Sequence, residues 1–278
     1  MSITLMYITN KPEVALIAQK AGVDRIWVDL EIIGKEKRQS GMNTVKSKHT
    51  VSDIYKIKPL LTTSKMMVRV NPLNSNSKKE INEVIEAGAE YLMLPMYRTK
   101  ADVEKFITLV SKRAKIILLL ETIDAERNLD EYIDLPGIDE IHIGLNDLHL
   151  EYKKKFMFEL LANGKVEEIT KKLKARNIKF GFGGFARVGH GILPAEMIIT
   201  EHYRLGSTMG ILSRGFCDAN LVDDPKEIEE LFIDGVKQIR EQEKQVKTYS
   251  IDQYFFNYNS VIEKVNKIVK EIEERNNA

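Results

Sequence analysis

Five charged residues stand at the ends of short apolar runs in this sequence of 278 residues: Asp29, Glu31, Arg69, Glu121 and Asp147. A charged group beside a buried segment is costly to desolvate unless it is paired or binds a metal ion. Carboxylate oxygens suit Mg²⁺ or Mn²⁺, whereas Zn²⁺ would favour His or Cys ligands. These residue types therefore indicate a site that pairs its charges or holds a divalent cation, with Mg²⁺ or Mn²⁺ favoured and other divalent ions left open.

The elements that must position these residues alternate regularly along the chain. Apolar runs typical of buried parallel strands span residues 3–8, 25–30, 66–70, 91–96, 115–120, 140–145, 179–185 and 207–212. Amphipathic stretches typical of helices lie at residues 12–21, 78–87, 101–114, 125–133 and 166–176. This alternation predicts an α/β protein with a closed (β/α)₈ barrel, the TIM barrel. An open doubly wound sheet is disfavoured, because no Gly-x-Gly-x-x-Gly motif opens the first helix.

In a (β/α)₈ barrel the chemistry lies at the carboxyl ends of the strands. Glu121 and Asp147 would end neighbouring strands, which run about 4.8 Å apart, so both carboxylates can reach one cation. The structural alternative is that each residue caps the helix that follows it. The sequence alone leaves these two interpretations open.

Composition excludes several classes of protein. Lys and Arg number 42 against 41 Asp and Glu, and the net charge of +1 disfavours nucleic acid or an acidic membrane as a partner. No stretch approaches about 18 unbroken apolar residues and the N-terminus lacks a signal pattern, so we expect a cytoplasmic chain without a membrane partner. The single cysteine, Cys217, excludes an intramolecular disulfide and a metal site built from several cysteines.

We predict one domain over residues 1–278, with the barrel reaching about residue 215. Residues 216–278 then form further helices, which either cap the barrel or pack on a neighbouring subunit.

Several motifs in their order along the chain resemble the HpcH/HpaI aldolase and citrate lyase family. The most specific block combines LLLET at 118–122, PGID at 136–139 and IGLNDL at 143–148. Earlier segments that match in order are WVDLE at 27–31, VRVNP at 68–72 and GAEYLMLP at 88–95.

The resemblance implies a metal-dependent (β/α)₈ enzyme that makes or breaks a carbon–carbon bond next to pyruvate, oxaloacetate or an acyl-CoA enolate. By position, Glu121 and Asp147 would be the metal ligands. Arg69 would hold the substrate carboxylate and help stabilise the enolate oxygen, and Asp29 would also bind the substrate. Backbone amides from Gly144 to Asn146 would bind the other carboxylate oxygen. Family members are usually oligomeric, so we expect a homo-oligomer.

The chain departs from the family pattern at the second strand. The aldolases carry Asp-x-Glu-His there, with the His assisting proton transfer, whereas this sequence has Ile32 in the place of the His. Because Ile cannot move a proton, the base must be Glu31, His49, or metal-bound water or hydroxide. A Lys Schiff base is not expected, because Lys65, Lys115 and Lys179 stand at strand starts.

Two segments bear on the second substrate. Residues 34–39 carry three cations, which are either solvated or bind an anionic partner such as a carboxylated or phosphorylated aldehyde. The glycine-rich residues 180–187 either form a tight turn or bind phosphate through backbone amides. The leading hypothesis is a Mg²⁺- or Mn²⁺-dependent aldolase or lyase for a 2-oxo acid. The alternatives are an acyl-CoA lyase and, because of Ile32, a non-catalytic protein that binds a pyruvate-like ligand.

Overall fold

A computed structural model describes residues 2–34, 49–219, 221–222 and 224–277 of the chain. These residues form a closed barrel of parallel strands in the order β1 to β8, and β8 pairs with β1 to close it. The strands are β1 Thr4–Ile8, β2 Arg25–Asp29, β3 Lys65–Arg69, β4 Tyr91–Leu94, β5 Lys115–Leu120, β6 Glu140–Ile143, β7 Lys179–Phe185 and β8 Met209–Leu212. The predicted (β/α)₈ barrel is confirmed.

Helices cover the outside of the barrel and extend beyond its last strand. They are α1 Pro12–Ala21, α2 Val51–Ile57, α3 Ser77–Glu86, α4 Lys100–Val110, α5 Ile123–Arg127, α6 Leu129–Tyr132, α7 Leu145–Glu151, α8 Glu159–Ala162, α9 Lys165–Ala175, α10 Ala195–Leu205, α11 Pro225–Val246 and α12 Ile251–Asn277. A 3₁₀ turn, Lys58–Leu60, follows α2.

The predicted boundaries fail where the backbone turns sharply. The helix predicted at 101–114 ends at Val110, because Ser111 adopts a left-handed conformation with φ of 51°. The helix predicted at 125–133 is two short helices that meet at Asn128. The strand predicted at 140–145 ends at Ile143, because Gly144 already caps α7.

Alternating residues of the strands fill the barrel interior with a layer of large side chains. That layer contains Met6, Trp27, Met67, Met93, Ile117, Leu119 and Met209. On β7 the inward position is Gly181, where a Cβ atom would lie only 2.3 Å from the carbonyl oxygen of Met209. The absence of a side chain there lets β7 pack against β8.

A buried ion pair crosses the interior below this layer. Arg25 donates to both carboxylate oxygens of Glu140, at 2.5 and 2.8 Å, and its guanidinium lies 4.0 Å from the centre of the Tyr91 ring. Arg25 begins β2 and Glu140 begins β6, and these strands are not neighbours in the barrel, so the contact runs through the interior. The ion pair lies at the amino-terminal end of the barrel, where residues contribute to stability and not to catalysis.

The last two helices pack on the barrel. α11 packs against α1 and α10, while α12 packs against α10 and α8. Their buried faces include Phe232 and Ile239 on α11 and Val261 and Val265 on α12. Of the helices in the described residues, none is long and apolar enough to cross a membrane.

Glu140→Ala should destabilise the protein by about 3–5 kcal/mol, because it leaves the Arg25 guanidinium buried without its partner. Urea unfolding measures the change. Lys172→Ala is the control: it removes the exposed pair with Asp130 and should cost less than about 1 kcal/mol. Equal losses in the two variants would contradict a structural role for the buried pair.

Candidate active site

A cavity of about 670 Å³ opens at the carboxyl ends of the barrel strands. Of the residues predicted from the sequence, Asp29, Arg69, Glu121, Gly144, Asn146 and Asp147 border it. Glu31 is buried and contacts Arg69. The closed barrel therefore gathers at one mouth residues that are up to 118 positions apart, from Asp29 to Asp147.

Arg69 is held by two acids. Its Nε and Nη2 atoms donate to the two oxygens of Asp29, at 2.8 and 2.7 Å, and its Nη1 atom lies 3.2 Å from Glu31 Oε2. Asp29 and Arg69 are register partners on β2 and β3, which explains the pairing. Burial works against the charged guanidinium, but the carboxylates outweigh it and raise the pKa of Arg69 above its ordinary value. The guanidinium is therefore a fixed, permanent positive charge.

Glu121 lies at the end of β5 with 2% of its surface exposed. Its Oε1 atom accepts a hydrogen bond from the Met96 backbone amide at 3.1 Å, and Met96 has a left-handed φ of 54°. A Cβ atom on Gly144 would lie 2.8 Å from Glu121 Cβ, so only glycine fits beside this carboxylate. The Gly144 amide donates to the Leu120 carbonyl at 2.9 Å. The Gly144 amide therefore already has a backbone partner, and its contact with a substrate stays a prediction.

Asp147 supplies the second carboxylate, from the first turn of α7. Burial raises the pKa of Glu121 well above its ordinary value, the charge of Asp147 raises it further, and Arg69 opposes the shift. A buried carboxylate whose charge is disfavoured in this way is stabilised by a proton or by a nearby cation.

The two carboxylates fit a divalent ion as part of its ligand set. Carboxylate oxygens suit Mg²⁺ or Mn²⁺, and Glu121 lies close enough to Asp147 for the two charges to act on each other. In the described parts of the chain, no group of three or more His, Cys, Asp or Glu residues is arranged to hold a metal. Water and substrate oxygens would complete the shell, as Mg²⁺ commonly allows.

The loop after β2 contains Ile32, the position at which the sequence departs from the family pattern. The Ile32 side chain is 63% exposed, and the Ile32 and Ile33 amides donate to Asn71 Oδ1 at 2.9 and 3.0 Å. Ile32 is therefore exposed and is not among the residues that border the cavity. His49 borders the cavity instead, and its Nδ1 atom accepts the Asp29 amide hydrogen bond at 3.0 Å. Most of the predicted cationic segment, residues 35–39, lies outside the described residues.

Sequence reasoning assigned no site role to other residues that border the cavity. His142 lies in the barrel interior, where burial lowers its pKa to about 4, and its Nε2 atom is 3.1 Å from the Gly183 carbonyl oxygen. Phe156 and Phe158 form part of an apolar wall. The inward alternation of β6 could have identified His142, but no local pattern marks the aromatic wall.

In the metal-free protein, Glu121 should make stability depend on pH. The folded state keeps a proton that the unfolded state releases above the ordinary pKa of 4.5, so stability falls as the pH rises towards the raised folded pKa. The slope reaches at most about 1.4 kcal/mol per pH unit.

Glu121→Gln removes this titration, so its unfolding free energy should change less between about pH 5 and 8. Urea unfolding with EDTA measures both proteins. The control is Glu83→Gln, a change at a half-buried residue that is remote from the site in sequence and pairs with Lys79, and it should follow the wild type. Parallel curves for wild type and Glu121→Gln would show that Glu121 carries no raised pKa.

The comparisons with known proteins agree with this geometry. The solved HpcH/HpaI aldolase from Desulfitobacterium hafniense DCB-2 is similar in fold, with a TM-score of 0.58 and 14% sequence identity over 86% of this chain and 93% of that one. Comparison with curated proteins gave no significant match. The sequence profile described as HpcH/HpaI aldolase/citrate lyase matches residues 3–176, which include the five charged residues of the site. The match covers more than half of the sequence. The chain therefore belongs to the HpcH/HpaI aldolase/citrate lyase family.

Proposed function

We propose that the protein is a divalent-metal-dependent aldolase or lyase that acts on a 2-oxo acid of the pyruvate and oxaloacetate class through an enolate. The observation that carries the proposal is the pair of buried carboxylates, Glu121 and Asp147, at the same cavity as a fixed Arg69. A Mg²⁺ or Mn²⁺ ion, when bound by these carboxylates, supplies electrostatic stabilisation of the charge on the keto oxygen.

Arg69 supplies the second positive charge. Asp29 and Glu31 hold the guanidinium in one orientation, so little reorganisation is needed when a substrate carboxylate or enolate oxygen binds. Both Asp29 oxygens accept hydrogen bonds from Arg69. The proposed contribution of Asp29 to substrate binding is therefore to orient the Arg69 side chain.

Glu31 is the proposed proton acceptor. It is 1% exposed, and its Oε2 atom is 3.2 Å from Arg69 Nη1, so its carboxylate lies beside the group that would hold the substrate. Asn146 borders the cavity in the first turn of α7, where the helix leaves backbone amides without intrahelical partners. We assign the remaining carboxylate contact to the Leu145 and Asn146 amides.

The size of the cavity supports a second substrate. About 670 Å³ lies in the range of roughly 300–1,000 Å³ that accommodates drug-sized ligands, well beyond the needs of a three-carbon acid. Lys11 and Arg214 also border the cavity and suit an anionic group. We propose that an aldehyde occupies this space. An anionic group on that aldehyde would lie near Lys11 and Arg214.

One observation favours a second candidate function. The chain has Ile32, which is exposed, at the position where the aldolases use a histidine. A non-catalytic protein that binds a pyruvate-like ligand would need Arg69 and the carboxylates but no base. Solvent deuterium exchange into C3 of pyruvate separates the two functions, because binding without exchange under any divalent ion supports the second.

Glu121→Ala should abolish Mn²⁺ binding and the metal-dependent deuterium exchange at pyruvate C3, because one carboxylate cannot hold the ion in place. Calorimetry with Mn²⁺ and proton NMR of pyruvate measure the two effects. Glu83→Ala, on an exposed helix face, is the control and should retain both. Exchange at the wild-type rate in Glu121→Ala would refute the metal mechanism.

Arg69→Lys should lower kcat/KM for oxaloacetate decarboxylation by about 100-fold or more, because an ammonium group keeps the charge but cannot bond both Asp29 oxygens and face the substrate. Steady-state kinetics measures the loss. The same change at the exposed Arg113 should have no effect. Wild-type kinetics in Arg69→Lys would show that charge alone suffices and that the oriented fork is unnecessary.

A further inference from the structure

Asn71, two residues beyond β3, joins the loop after β2 to helix α3. Its Oδ1 atom accepts hydrogen bonds from the Ile32 and Ile33 backbone amides, at 2.9 and 3.0 Å. On the α3 side, its Nδ2 atom and its own backbone amide both donate to Glu80 Oε1, at 2.8 and 3.2 Å. Asn71 is half-buried and is not among the residues that border the cavity. Its influence on the site therefore passes through the loop that it holds.

These hydrogen bonds fix the orientation of the Asn71 side-chain amide. Backbone amides only donate, so the atom that faces Ile32 and Ile33 must be the carbonyl oxygen, whose two lone pairs they occupy. The NH₂ group then faces the Glu80 carboxylate, which accepts its hydrogen bond. A side-chain amide rotated by 180° would place donors against donors and an oxygen against a carboxylate. A single orientation thus satisfies every partner.

Glu31 lies in the loop that Asn71 holds. The Leu30 amide before it donates to the Arg69 carbonyl at 2.9 Å, and Asn71 bonds the two amides after it. The Glu31 amide itself donates to Asp29 Oδ1 at 3.2 Å. The backbone on both sides of Glu31 is therefore tied to the end of β3, the strand that carries Arg69.

The two acids beside Arg69 are held in different ways. Asp29 is the last residue of β2, and strand register places it opposite Arg69. Glu31 lies beyond that last register pair, so strand pairing alone does not set the position of its carboxylate. Loss of the Asn71 contact should therefore displace Glu31 and leave the hydrogen bonds between Arg69 and Asp29 in place.

We propose that Asn71 is a positioning residue, which holds the loop after β2 so that the Glu31 carboxylate stays beside Arg69. A general base must lie within hydrogen-bond reach of the proton that it removes. A displacement of about 1 Å in such a group can cost about 100-fold in rate. This inference rests on the proposed function, in which Glu31 is the proton acceptor, and adds the residue that places it.

Asn71→Ala removes the acceptor for both loop amides. We expect kcat for deuterium exchange at pyruvate C3 to fall about 100-fold, with little change in KM, because Arg69 keeps its bonds to Asp29. The matched control is Asn74→Ala. Asn74 is also half-buried in the loop after β3, but its side chain bonds backbone groups of that same loop, so this variant should keep wild-type kinetics. Equal losses in the two variants, or a loss confined to KM, would overturn the proposal.

A double variant tests whether the contact itself matters. Asn71→Asp combined with Glu80→Gln exchanges donor and acceptor between the two side chains. The carboxylate at position 71 can still accept both loop amides, and the amide at position 80 can donate to it. This variant should recover to within about tenfold of wild type, whereas Asn71→Ala combined with Glu80→Gln should not. Equal losses in the two double variants would contradict the positioning role.

Glu31→Gln tests whether Asn71 acts through Glu31. Once the proton acceptor is removed, its position no longer matters, so Asn71→Ala should cost less than about twofold in kcat in the Glu31→Gln background. The full loss in that background would show that Asn71 acts by another route, and the proposal would fail.

A measurement without turnover keeps this inference separate from the proposed function. Crystal structures of the wild type and Asn71→Ala should show that Glu31 Oε2 moves away from its position 3.2 Å from Arg69 Nη1, while both Asp29 bonds to Arg69 remain. An unmoved Glu31 carboxylate would overturn the proposal. If the wild type exchanges no deuterium into pyruvate with any divalent ion, the proposed function fails, and the position of Glu31 in the variant still decides whether Asn71 holds it.

Discussion

The hydrogen-bonded ion pair between Arg69 and Asp29 organises the mouth of the barrel. It joins β2 to β3, fixes the guanidinium with two bonds and brings Glu31 against the same side chain. Glu121 and Asp147 border the same cavity, and burial together with the charge of Asp147 raises the pKa of Glu121, while Arg69 opposes the shift. A buried carboxylate in this setting is stabilised by a proton or by a nearby cation. The electrostatic coupling between these two carboxylates is therefore the physical basis of the proposed metal site.

The opposite end of the barrel shows the contrast. There Arg25 and Glu140 satisfy each other through two bonds across the interior, beneath the layer of methionines and Trp27. An ion pair at the amino-terminal end of the barrel has a structural role, because each of its two charges is neutralised by the other. The chain thus uses buried ions in two ways: an isolated pair at the base and a larger cluster of charges at the mouth. At each end of the barrel, the arrangement depends on which strands place an inward-facing charged residue there.

The order of strands and helices followed from the sequence because local patterns determine it. Runs of apolar residues form buried strands, and the predicted ends of those strands differ from the observed ones by at most two residues. The positions of Glu121 and Arg69 at strand ends followed as well. Helix ends were harder, because the left-handed Ser111 and the break at Asn128 depend on backbone geometry that residue types favour only weakly.

The sequence by itself determined the barrel, the family motifs and the set of charged residues that could form a site. It left Glu31, His49 and metal-bound water or hydroxide as candidates for the base, because residue types do not show orientation. Only the tertiary structure decided that Ile32 is exposed. It also decided that both Asp29 oxygens accept hydrogen bonds from Arg69. The hydrogen bond from the Gly144 amide to the Leu120 carbonyl was likewise set by the tertiary structure. The closed barrel also brought His49 to the Asp29 amide, a contact between positions 20 residues apart. The physical reason is that hydrogen-bond direction and side-chain pairing depend on distances across the barrel, which a linear pattern does not contain.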